Sequence, residues 1–388
     1  MRKKILLTIA IGFTLGLTAA SGNFDTAIKN VDMGGEFLCF KELTPTMRCL
    51  KTLLPQMAKN AQLPAQQQNE VDLLVEYFIK LLDLEAFKAV AISSKEMKPG
   101  FFVLKNFVNT DLKSPSILFD ATRQNEILNW EQLPYNTKLA VKFSINFNQV
   151  WKKLQQDAGN APPALAMLIA QSEALKNQGI IPDLWFTSLS GEYSAVICGE
   201  TLESAEFKVV IPDKLGMLSN ILKGMFPVQP DNSAILPFPV NNKTPKVIFT
   251  EQSIMIVSSD KMLKTPAKTL LDKPEYQQYK TYLPQKGLDY LVVDFTGTWI
   301  NSIKKQITVD DDIIMQQLIK SFDNVKPFSL VSVDGISPEG FFSVTTSNFS
   351  IIQAAEAIQM ESFSSWLPAL QQYQNQRKIQ QNIQENKK

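Results

Sequence analysis

Residues 139–153, Leu-Ala-Val-Lys-Phe-Ser-Ile-Asn-Phe-Asn-Gln-Val-Trp-Lys-Lys, decide the fold class. Leu139, Val141 and Phe143 alternate with period two, and Phe147, Val150, Trp151 and Leu154 then recur at helical spacing. The stretch predicts a strand turning directly into an amphipathic helix. Ser144 falls near the turn, where a hydroxyl can serve the free amides of a helix start. The same residues lie without a gap over 291–305, Leu-Val-Val-Asp-Phe-Thr-Gly-Thr-Trp-Ile-Asn-Ser-Ile-Lys-Lys, so that Val141 meets Val293, Phe143 meets Phe295, Ser144 meets Thr296 and Phe147 meets Trp299. Leu133-Pro134 introduces one copy and Leu283-Pro284 the other, which predicts a duplicated unit.

Downstream of each copy the spacing predicts a second helix, at 165–175 and at 313–322, followed by two strands and a turn. In the middle unit the strands are expected at 185–189 and 193–198, and in the last at 328–333 and 341–346. The N-terminal segment repeats the order more faintly: a strand at 37–40, helices at 44–57 and 71–82, and strands at 87–92 and 101–107. A shorter strand, helix, strand, strand insertion is expected between the second and third units, at 207–211, 215–225, 246–250 and 254–258. Short turns make neighbouring strands antiparallel, so the expected fold is α+β, with repeated β-α-α-β-β units forming antiparallel sheets and helices packed on one face. The expected divisions are a leader at 1–20, units at 21–130, 131–280 and 281–350, and a helix with a polar tail at 351–388.

The leader is read from Arg2-Lys3-Lys4, an apolar stretch from Ile5 to Leu17, and the small-residue end Thr18-Ala19-Ala20. That order is the export-signal pattern, too short to span a bilayer, and cleavage is expected after Ala20. A periplasmic or secreted location follows, with no transmembrane segment once the leader is removed. Formal charge is +1, from 39 basic and 38 acidic side chains, and loss of the three leader cations takes it to −2. Such a balance leaves no electrostatic footprint for nucleic acid. The chain has no histidine, which removes Ser-His-Asp, Cys-His and His-ligated zinc chemistry.

Ser302-Ile303-Lys304-Lys305 matches the spacing by which a lysine reaches a serine nucleophile, but the companion motifs are absent and the other copy has Val150 in place of the serine. Asp310-Asp311-Asp312 lacks the alternating ligands of a calcium loop and suits a helix start. Lys142 and Asp294 occupy equivalent strand positions with opposite charge, which predicts a solvated face. Cys39 and Cys49 would form a disulfide across a short strand-to-helix connection, or, with Cys198, serve as small hydrophobes. Phe143, Phe147, Trp151, Phe295 and Trp299 would line an apolar pocket, or form plain core on the inward period of their elements. No catalytic residue, cofactor or metal site is expected.

Lys273-Pro274-Glu275-Tyr276 through Leu283-Pro284, the strand from Tyr290 to Phe295, and its counterpart after Leu133-Pro134 resemble a group of bacterial exported proteins known as a domain of unknown function. That group carries a signal peptide and tandem Leu-Pro-led strand, helix, hairpin units. The resemblance implies a periplasmic or cell-surface location and an α+β fold, and brings no catalytic residues. The expected function is that of an exported, non-enzymatic binding or structural protein contacting an envelope protein or surface component. A carrier of a lipid-like ligand comes second and a hydrolase without histidine third.

Overall fold

The computed structural model describes residues 22–59, 65–120, 122–176, 181–240, 243–299, 301–302 and 327–350. The leader, the carboxylates at 310–312, the helix expected at 313–322 and everything from 351 lie outside these residues.

Helix α1 (Gly22–Ile28) leads to β1 (Phe37–Glu42), α2 (Thr44–Lys59), α3 (Ala65–Leu82), β2 (Phe87–Lys98) and β3 (Phe101–Thr110). Next come β4 (Glu126–Ile127), β5 (Thr137–Ile145), α4 (Phe147–Gln156), α5 (Pro163–Lys176), α6 (Pro182–Leu189), β6 (Gly191–Cys198) and β7 (Glu206–Pro212). The chain continues through α7 (Met217–Met225), β8 (Ser233–Ile235), β9 (Lys246–Phe249), β10 (Ser253–Val257), α8 (Pro274–Lys280), β11 (Lys286–Gly287), β12 (Asp289–Phe295), β13 (Phe328–Ser337) and β14 (Gly340–Ser347).

Mixed helix and strand are thus organised on one large antiparallel sheet. Its twelve strands run β1-β2-β3-β14-β13-β12-β5-β6-β7-β10-β9-β8, in four groups of three strands that are consecutive in the chain. At the middle, the two stretches aligned above lie beside one another. Val293 opposes Leu139, Val292 opposes Ala140, Leu291 opposes Val141 and Tyr290 opposes Lys142.

Directly opposed residues point to the same face, so the registers trace one row across nine strands: Val257, Lys208, Val196, Ala140, Val292, Val331, Thr346, Val103 and Lys95. This face carries the principal core. A strap made from residues 126–136 and 268–288 crosses it, bringing Trp130, Leu133, Leu270, Tyr276, Tyr279 and Leu283 against Ala140, Tyr290, Val292, Val331 and Val333. Both Leu-Pro leucines, Leu133 and Leu283, are buried there. Burial of each such large side chain contributes about 1.5–3 kcal/mol. The strap is itself tied together by the β4–β11 pair and by Leu270 N–H donating to the Leu133 carbonyl at 2.9 Å.

Helices meet the sheet on both faces, where one was expected. Ala27 of α1, with Val31 just beyond it, packs on Ala89, Ala91 and Phe107 of the strap face, while α7 places Leu218 and Leu222 against Val247, Phe249 and Ile254 of the opposite face. Open sheets expose both sides to water, so each apolar face needs its own cover.

The strand expected at 185–189 is instead helix α6. Pro182 supplies a preset φ in its first turn and Asp183 a negative charge there, and Phe186 packs on Trp151 with ring centroids 4.9 Å apart. The true hairpin partner of β6 is β7, whose residues 207–211 were expected to belong to an insertion. In the last hairpin the turn shrinks to Pro338 and Glu339, because β13 and β14 pair as far as Ser337 and Gly340.

Gly340 opens β14 at φ +151°, a conformation other residues rarely adopt, and a Cβ there would run into the backbone carbonyl of Val108 on β3. Gly340→Ala is therefore expected to lower stability by about 1–3 kcal/mol, read as an earlier urea midpoint with an unchanged slope.

Candidate functional site

Two arrangements of polar groups stand out, one sealed and one open. The sealed one centres on Asp294 of β12, which is 1% exposed. Its carboxylate accepts from Lys273 Nζ at 2.7 Å, from Thr296 through both backbone N–H and hydroxyl, and lies 3.8 Å from Lys138 Nζ. Lys273 reaches it from the strap and rests 4.9 Å from the Tyr135 ring centroid and 5.4 Å from that of Tyr276. Tyr279 and Ser329 share a 2.6 Å hydrogen bond alongside.

Asp294 therefore lies on the buried face, not a solvated one. Its counterpart Lys142 is half-buried on the same face and pairs with Glu192 at 2.6 Å. Burial alone pushes the Asp294 carboxyl up, but the bonds from Lys273 and Thr296 and the charges of Lys273 and Lys138 outweigh it and hold it below the usual carboxylate range. Burial also pushes the Tyr279 hydroxyl up to about 12. This cluster is enclosed by the strap and fastens it to the sheet.

The open arrangement is a cleft of about 420 Å³ at the end of the central seam. Its floor is the end of β5 and the start of α4, Ser144 to Asn146. One wall is Asp120, Thr122, Arg123, Gln124 and Glu126 with Gly287 and Leu288, and the other is Ser190 to Glu192 with Lys214. The walls stand apart because β12 and β6 flank β5 on opposite sides.

Most cleft side chains are held by hydrogen bonds. Asn146 caps α4, accepting from Gln149 N–H at 3.0 Å while donating to Asp120 at 3.0 Å. Asp120 also accepts from Thr122 N–H at 2.9 Å and from the Thr122 hydroxyl at 2.6 Å. Burial raises the Asp120 carboxyl, but the bonds from Thr122 and Asn146 and the nearby Arg123 hold it below its ordinary range. Arg123 donates to Asp289 at 2.7 Å, and Asp289 accepts a further bond from Ser144 N–H at 3.2 Å. The Ser190 hydroxyl accepts from Asn148 N–H and donates to the Phe186 carbonyl.

Ser144 does not cap α4 as expected: Asn146 does so, while in the other copy the Thr296 hydroxyl donates to Asp294. A second hollow of about 330 Å³ shares Thr122 and Asn146 and is otherwise lined by Asn148, Gln149, Lys152, Lys153 and Gln156. Burial lowers the pKa of Lys153, whose ammonium donates to the carbonyls of Ser116 and Phe119.

The aromatic residues singled out by sequence fall in separate places. Phe143 stacks on Tyr193, with Phe147 edge-on to the same ring. Trp151 joins Tyr77, Leu165 and Ile169 in a cluster between helices. Phe295 meets Phe328, and Trp299 is buried. Cys39, Cys49 and Cys198 are all unbonded: Cys39 is half-buried in β1, opposite Ile92, and Cys49 is exposed on α2. Of the two arrangements open to these cysteines, the structure does not show the Cys39–Cys49 bond. Ser302 is buried, and Lys305 lies outside the described residues.

Among the described residues no cluster of carboxylates and thiols could hold a metal ion, and no helix is long and apolar enough to cross a membrane. Comparison with protein-family models, characterised proteins and solved structures returned no match.

Asp294→Asn leaves two buried lysines without their counter-charge and is expected to cost about 3–5 kcal/mol in urea unfolding. Because the folded-state pKa of Asp294 is depressed, its contribution is complete above the ordinary carboxylate range and is lost as pH falls through the depressed value. The stability difference between wild type and Asp294→Asn should therefore narrow on acidification.

Proposed function

We propose that this is an exported, non-enzymatic binding protein of the bacterial envelope that holds a polar ligand in the cleft at the central seam. The observation that carries the proposal is the cleft itself, most of whose hydrogen-bonding groups are fixed in place before any ligand arrives. Ligand sites are usually largely pre-formed, and 420 Å³ falls in their ordinary size range. The leader pattern supports export.

Reaction chemistry has less support. Asp120, Asp289 and Glu192 are each committed to donors or cations, and the bonds to Asp120 favour its ionised form, which suits recognition better than proton donation. A carrier of an apolar ligand also has less support, because the aromatic side chains are divided among separate clusters.

The four groups of three strands further support an origin in repeated strand, helix, hairpin units. The pairing of Leu139 with Val293 and Val141 with Leu291 agrees with it, since it sets the two aligned stretches side by side.

Thermal-shift screening against polar and apolar small molecules tests the proposed function. Gln124 lines the cleft and makes no hydrogen bond, so Gln124→Trp fills the space without breaking the fold. Polar ligands are expected to raise Tm in the wild type and not in Gln124→Trp. Shifts produced only by apolar ligands, and retained in the variant, would contradict the proposal.

A further inference from the structure

The charged groups around the cleft divide into those already engaged by partners and those left over. Arg123 is paired with Asp289, Glu192 with Lys142, and Asp120 is satisfied by Thr122 and Asn146. Two remain: Lys214 and Glu126 make no side-chain hydrogen bond or ion pair, and both line the cleft.

Their positions follow from the topology. Glu126 is the β4 partner of Gly287, immediately before β12, whereas Lys214 lies just beyond the end of β7, against Gly191 at the start of β6. Since β12 and β6 stand on opposite sides of β5, the free carboxylate and the free ammonium occupy opposite walls. Gln124, on the Glu126 wall, offers an amide with an unused donor and an unused acceptor.

Resting on the proposal that the cleft binds a polar ligand, we infer that the ligand is a short zwitterionic peptide, its carboxylate set against Lys214 and its ammonium against Glu126. A ligand of one sign would meet a like charge on one wall, and a neutral one would leave both charges unanswered. A peptide carries both signs at its ends, and its amide bonds match the Gln124 side chain.

Isothermal titration of the full chain with trialanine, N-acetyl-trialanine, trialanine amide and maltotriose tests this. Trialanine is expected to bind. Amidation of its carboxylate weakens binding roughly three- to fivefold in the wild type and has no effect in Lys214→Met. Acetylation of its amine does the same in the wild type and has no effect in Glu126→Gln. Both substitutions replace exposed side chains without partners, so the fold is retained.

Maltotriose binding at least as tightly as trialanine, with neither substitution mattering, overturns the zwitterion and leaves the polar cleft standing. Failure of all four probes to bind overturns the zwitterion, and the thermal-shift screen then decides the cleft separately.

Discussion

Four residue pairs between β5 and β12 join the two six-stranded halves of the sheet, and the rest of the molecule depends on that seam. The strands come from parts of the chain about 150 residues apart, so no local turn sets their register. What sets it is the contrast between faces. Ala140, Tyr290 and Val292 are buried beneath the strap, whereas Leu291 and Phe143 on the other face are more than a third exposed. A slip of one residue would exchange the two sets and carry Asp294 away from both lysines.

The ion cluster at Asp294 adds specificity of a different kind. Removing a carboxylate and two ammonium groups from water costs several kcal/mol for each ion, and their attraction offsets this only in good geometry. The 2.7 Å contact to Lys273, the two bonds from Thr296 and the tyrosine rings against Lys273 provide it. Because Lys273 belongs to the strap and Lys138 to β5, satisfying one carboxylate on β12 aligns three segments. The cleft inherits that alignment, since its floor and one wall continue directly from β5 and β12.

Much of the sheet was legible in the sequence because strands with one buried face alternate with period two. Phe87 to Ile92 and Phe101 to Phe107 lie within β2 and β3 as expected. Residues 185–189 were misread as a strand although Trp185, Phe186 and Leu189 fall at helical spacing, and the further signal, Pro182 at a helix start, lies outside that window. Asp294 was misread for a different reason: its burial depends on Lys273 and the strap, which no periodicity within β12 reveals. The cleft was the least legible feature, since its lining comes from several short segments whose meeting follows only from strand order. Asn146 was the accessible clue, a capping residue directly before a helical run.

Native-state hydrogen exchange at the seam tests the account most directly. If β5 and β12 bind the halves into one cooperative unit, the amides that pair these strands exchange only through global unfolding, at the same free energy as those between β12 and β13. Seam amides that exchange at a markedly lower free energy, with the two halves then unfolding in separate transitions, would contradict it.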